Sequence, residues 1–129
     1  MKANFKSALT LIAGAALGAA AIQGLHAQAK PPTYLVVDMS EISDPEPLKV
    51  ITQRAIGTPS LPQFGGRYVM RTDKFIALEG TPPARFVVLA FDNAERATAF
   101  NNSPSQQETA AIRHKTSKSR VFLVEGMAQ

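Results

Sequence analysis

Hydrophobic and polar positions alternate along this chain in a pattern that predicts its elements in order. After Lys30-Pro31-Pro32, which fits neither a helix nor a central strand, the run Thr33 to Met39 (TYLVVDM) is β-branched and aromatic and predicts a first strand. Asp44-Pro45-Glu46-Pro47 then starts a helix, with Asp44 as N-cap and both prolines in the first turn, where the backbone N–H groups lack intrahelical partners. Leu48, Ile51, Thr52, Ala55 and Ile56 recur at helical spacing up to Gly57, which closes the helix. Thr58-Pro59 repeats the cap-and-proline pattern, but Pro62 and Gly65-Gly66 leave room for only a turn or two, pinned by Leu61 and Phe64.

Arg67 to Arg71 (RYVMR), a Thr72-Asp73 turn and Lys74 to Glu79 (KFIALE) predict a strand doubling back in a hairpin. Gly80 to Pro83 is a loop. Six consecutive apolar residues, Phe86 to Phe91 (FVVLAF), predict a strand covered on both faces and therefore central. Asp92 as cap with Glu95 as its box partner starts a second helix, with Ala94, Ala97 and Phe100 inward. Ser103-Pro104-Ser105-Gln106 starts a third, to about Lys115, with Ala110, Ala111 and Ile112 inward. Arg120 to Glu125 (RVFLVE) is the last strand. The order is that of a ferredoxin-like βαββαβ fold, α+β in class, with an antiparallel sheet and helices on one face. The first, central and last strands are apolar on both sides, so the face without helices would be a larger apolar patch than a soluble monomer usually shows. A homodimer packing sheet against sheet would cover it.

The first 29 residues carry a separate pattern. Lys2 and Lys6 precede an uncharged apolar run from Ala8 to Ile22, and Ala27-Gln28-Ala29 fits the small-residue cleavage motif of a secretory signal. The expected organisation is a signal peptide over 1–29 and one domain over 30–129, in a protein exported to the periplasm or beyond. The run is rich in Ala and Gly and shorter than the ~20 apolar residues of a spanning helix, so no stable membrane anchor is expected after cleavage. Without the leader's two lysines, 12 basic residues face 10 acidic ones. That small excess does not suggest a nucleic-acid partner. With 45% hydrophobic and 19% charged residues the chain has the make-up of a folded domain. The absence of cysteine excludes disulfides, thiolate metal sites and a cysteine nucleophile.

Taken together, Val36-Val37-Asp38, Asp44-Pro45-Glu46, Gly65-Gly66-Arg67-Tyr68, Leu78-Glu79-Gly80, Phe86-Val87-Val88-Leu89, Asn102-Ser103-Pro104, Ser119-Arg120-Val121 and Val124-Glu125-Gly126 resemble the domain-of-unknown-function thirteen-thirty family. The resemblance implies a dimeric α+β barrel, in a superfamily that also holds cofactor-free monooxygenases, isomerases of the muconolactone type and haem-binding relatives. It brings no known reaction.

Candidate chemistry rests on few residues. His114, the single histidine outside the leader, is a candidate general base, set against a solvated role beside Arg113 and Lys115 at a helix end. Asp38 ends an apolar run and is a second candidate proton acceptor. Arg67 and Tyr68 follow a Gly-Gly pair that permits close backbone approach, and with Asp38 they would bind and polarise a small carbonyl or phenolic compound; the alternative is an Asp-Arg pair fixing strand register or a dimer interface. Arg120, in the basic run from Arg113, is a candidate for an anionic ligand. No metal site and no cofactor are expected, and a haem on His114 would rest on the resemblance alone. Three functions remain open: a small-molecule-binding dimer, a cofactor-independent monooxygenase or isomerase of the same barrel type, and a non-catalytic structural or interaction dimer.

Overall fold

The strand that organises the sheet is β1 (Thr33–Ile42), the longest of four and paired on both sides. In the computed structural model, which describes residues 30–57 and 60–128, β1 runs antiparallel to both β3 (Arg85–Phe91) and β4 (Ser117–Glu125). A further strand, β2 (Arg67–Thr72), lies antiparallel on the other side of β3, giving the order β2-β3-β1-β4. Helices α1 (Pro45–Gly57) and α2 (Ser60–Gln63) connect β1 to β2, while α3 (Ala94–Asn101) and α4 (Pro104–Thr116) connect β3 to β4. This is the expected ferredoxin-like α+β arrangement. Residues Pro31–Met127 form one compact body.

Alternation along the strands sorts side chains onto two faces. Leu35 of β1 lies opposite Leu89 of β3 and Leu123 of β4, so all three share a face. On that face Leu35, Leu89 and Phe91 join Leu61, Ala97 and Phe100 from the helices in the core, with Val37, Phe64, Val87 and Val121 packed against it. The ring of Phe100 stands edge-on to Phe64 at 5.9 Å and tilted to Phe91 at 5.4 Å. The other face carries Tyr34, Val36, Asp38, Phe86, Val88, Ala90, Phe122 and Val124, with Met70 of β2. Met70, Phe122 and Val124 are exposed there.

The Gly65-Gly66 pair serves this core. Gly65 takes a left-handed φ of 72°, which costs glycine nothing. A methyl group on Gly66 would collide with Leu61 Cδ1 and sit 2.6 Å from Phe91 Cε1. The close approach that the glycines permit is to the hydrophobic core.

Several local expectations are corrected. Lys74 to Glu79 is no strand: residues 74–77 have no regular structure, and Ile76 and Leu78 are 91% and 96% exposed. β3 already has β1 and β2 on its two sides, so β2 pairs with β3 across the loop, and alternation alone gave Lys74 to Glu79 no partner. The cap of α3 is Asn93, whose Oδ1 accepts from the Arg96 N–H at 2.9 Å, and Asp92 and Glu95 form no capping box. Ser103 is the N-cap of α4 but makes no side-chain capping bond; its hydroxyl donates to the Phe100 carbonyl at 2.6 Å. Ala94 and Ala111 are exposed, whereas Ala97 and Phe100 are buried as expected. Asp44 accepts from the Glu46 N–H at the start of α1, and Leu48 is buried on its inner side. The expectations for 1–29, for the side chains of Ala55 and Ile56, and for Thr58-Pro59 lie outside the described residues.

Candidate functional site

Between the helices and the first face of the sheet lies a cavity of about 100 Å³. Its floor is Val37, Met39, Val87 and Leu89, and its walls are Leu48 and Ile51 of α1 and Phe100 of α3. Polar groups enter from three sides: Thr52 from α1, Gln106, Thr109 and Arg113 from α4, and Tyr68, Arg71 and Arg85 from the sheet. Gln106, Thr109 and Arg113 stand at helical spacing, so one face of α4 presents all three. Arg85 shares its side of β3 with Val87 and Leu89 by simple alternation.

Tyr68 and Arg71 need more than alternation, since residues three apart on a regular strand point to opposite faces. The register of β2 on β3 shifts between Tyr68, opposite Leu89, and Met70, opposite Val88. This bulge at Val69 inserts one residue and returns Arg71, opposite Val87, to the face that holds Tyr68. The Arg71 guanidinium then lies 5.0 Å from the centroid of the Tyr68 ring.

Arg113 is 7% exposed, and its Nε–H donates to Ser119 Oγ at 3.2 Å. Burial pushes its guanidinium below the usual arginine range, because desolvation disfavours the charged form. Among the described residues no carboxylate pairs with Arg71, Arg85 or Arg113; the ion pairs found join Lys49 to Glu46, Arg54 to Glu108, Lys118 to Glu41 and Arg120 to Asp38. The cavity is thus apolar in body, cationic at its polar end and, among the described residues, without an acidic or histidine side chain in its lining.

Of the five residues singled out in the sequence, the structure brings together only Asp38 and Arg120. Tyr68 alone lines the cavity. His114 is exposed on α4, next in sequence to Arg113 but outside the lining. Asp38, Arg67 and Arg120 belong to the second face of the sheet. Arg67 lies opposite Ala90, which lies opposite Tyr34, so two strand spacings and four residues, roughly 16 Å, separate Arg67 from Asp38. The acid–arginine pair that does form is Asp38 with Arg120, its direct neighbour across β1 and β4, at 3.0 Å from Nε to Oδ2. Asp38 is 15% exposed against 76% for Arg120, and Asp38 Oδ1 is buried without a hydrogen-bond partner among the described residues. The described residues contain no group of three His, Cys, Asp or Glu able to hold a metal ion, and no helix long and apolar enough to cross a membrane.

Residues 32–127 match the model of a family described as a domain of unknown function (DUF1330). The fold is similar to that of a dimeric ferredoxin-like protein of unknown function from Thermobifida fusca, at 12% identity and a TM-score of 0.56 over 76% of this chain and 92% of that one. It is similar also to a protein of unknown function from Rhodopseudomonas palustris, at 13% identity and a TM-score of 0.54 over 78% and 85% of the two chains. A third similar structure is SnoaB, a cofactor-independent oxygenase from Streptomyces nogalater, at 12% identity and a TM-score of 0.51 over 78% and 97%. At such identities the likeness is one of fold. No curated protein sequence matches the chain.

Proposed function

The chain belongs to the DUF1330 family, and from that premise we propose that it is an exported homodimer that binds a small molecule in the cavity between its helices and its sheet. The observation that carries this reading is the lining itself. Apolar walls with a few convergent donors are the usual make-up of a ligand pocket, and here the donors are Tyr68, Arg71, Arg85 and Arg113. A monooxygenase or isomerase of this barrel type would need a base within hydrogen-bond reach of its substrate. Among the described residues the lining offers donors and no carboxylate or imidazole, which favours binding over proton abstraction.

The dimer reading draws on the second face of the sheet, where Met70, Phe122 and Val124 are exposed and Asp38 Oδ1 is buried without a partner. A second copy packed on that face would remove the apolar surface from water and bring donors to the unpaired oxygen. Several structures of similar fold are described as dimeric. Export draws on the sequence of residues 1–29, with Lys2 and Lys6, the apolar run from Ala8 and the Ala27-Gln28-Ala29 motif.

Saturation-transfer NMR with a set of single-ring acids, amides and alcohols tests the binding reading. At least one class is expected to bind saturably, and Thr52→Trp, which fills the cavity from α1, should abolish that binding while the circular dichroism spectrum stays unchanged. Absence of saturable binding, or binding indifferent to Thr52→Trp, would overturn it.

A further inference from the structure

We propose that the ligand of this cavity is a small monoanion, a carboxylate on an apolar body about the size of one ring, whose charge is held by Arg71, Arg85 and Arg113. The proposal rests on the binding reading above and adds the chemistry of what is bound. Three guanidinium groups line one small cavity, and none has a carboxylate partner among the described residues. Arg71 lies opposite Val87, and Arg85 is two residues from Val87 on the same strand. The two cations are therefore diagonal neighbours on one sheet face, an arrangement that an anion between them would favour.

Arg113 supplies an independent observation. It is 7% exposed, lines the cavity, and engages one of its five N–H groups, the Nε–H bonded to Ser119. An arginine buried along its length, lining the cavity and with its remaining donors unengaged by described residues, is placed to receive a carboxylate, whose two oxygens match its planar fork.

The rest of the lining sets the body of the ligand. Val37, Met39, Leu48, Ile51, Leu89 and Phe100 give a wall that favours hydrocarbon. A volume of about 100 Å³ is two-thirds of the roughly 150 Å³ of an apolar cavity known to take up benzene, which limits the body of the ligand to one ring or less. One ring or a short alkyl chain fits; a nucleotide or sugar phosphate would bring more volume and more polar surface than the walls can satisfy.

Isothermal titration of the full chain with benzoate and with its neutral isostere benzamide tests the charge directly. Benzoate is expected to bind at least tenfold more tightly than benzamide. Arg113→Met and Arg85→Met should each erase most of that difference by weakening benzoate far more than benzamide, and Arg67→Met, on the opposite face, should leave both unchanged. Benzamide binding also verifies that each variant is folded, and Arg85→Met decides the matter if Arg113→Met does not fold. Equal affinity for benzoate and benzamide would overturn the anion inference while leaving the binding reading intact. Failure of both probes to bind would overturn the two together.

Discussion

Arg71 lies over the ring of Tyr68, 5.0 Å from guanidinium carbon to ring centroid, because a bulge at Val69 turns two residues three apart in sequence onto the same face of β2. The contact places one cation at the sheet edge of the cavity and holds it there through the negative face of the phenol ring. At a site as exposed as this one such a contact is worth about 0.5–1 kcal/mol. Tyr68→Leu should accordingly weaken binding of a single-ring carboxylate about two- to fivefold, measured by titration calorimetry. A loss of a hundredfold would mean that Tyr68 carries far more of the binding than its contact with Arg71 supplies.

Arg113 sits where stability and binding conflict. The residue is buried and its guanidinium lacks a counter-charge among the described residues, and apolar replacements of buried charged groups are often neutral or stabilising. In the ligand-free protein, Arg113→Met is expected to leave unfolding free energy within about 1 kcal/mol of the parent or raise it, as read from urea denaturation. A loss of several kcal/mol would show that the bond to Ser119 and the packing of the side chain outweigh the desolvation of the charge.

Gly66 marks the tightest point of the core. An added methyl group would meet Leu61 and Phe91, the latter one of the most buried residues of the domain. Overpacking of this kind typically costs about 1–3 kcal/mol, so Gly66→Ala should lower the thermal midpoint by several degrees without altering ligand affinity at a temperature where the protein stays folded. An unchanged midpoint would mean that α2 yields easily and that Leu61 is not held firmly.

Much of the fold could be read from residue pattern, and the reasons differ by element. Phe86 to Phe91 announced a central strand by its unbroken apolar run, and it pairs with β1 and β2. Lys74 to Glu79 also carries an apolar run but has no strand to pair with, and such a run alone says nothing about pairing partners. The Gly65-Gly66 pair correctly signalled a close approach, although what comes close is the core. The cavity was largely hidden. Arg85 could have been placed on the inner face by alternation with Val87 and Leu89, and Arg113 by its helical spacing from Gln106 and Thr109. Arg71 could not, because the bulge that turns it inward leaves no mark in the sequence. His114 and Asp38 drew attention by residue type, which carries no information about the face on which a side chain emerges.

The second face of the sheet makes its own prediction. Phe122 stands in the middle of β4, opposite Val36, with the Arg120 guanidinium 5.8 Å from its ring. In a face-to-face dimer, Phe122→Glu would bury a carboxylate against apolar neighbours, at a cost of several kcal/mol. Sedimentation velocity should show the parent as a dimer and Phe122→Glu as a monomer at micromolar concentration. A variant that remains dimeric would place the interface elsewhere.

Native mass spectrometry of the protein expressed with its own leader, and purified from the periplasm of a bacterial host without added ligand, addresses the whole account in one spectrum. The expected species has twice the mass of residues 30–129, with each protomer carrying additional mass that gentle activation releases as a small anion. A monomer that retains residues 1–29, or a dimer whose ions never carry such mass even after incubation with millimolar benzoate, would contradict it.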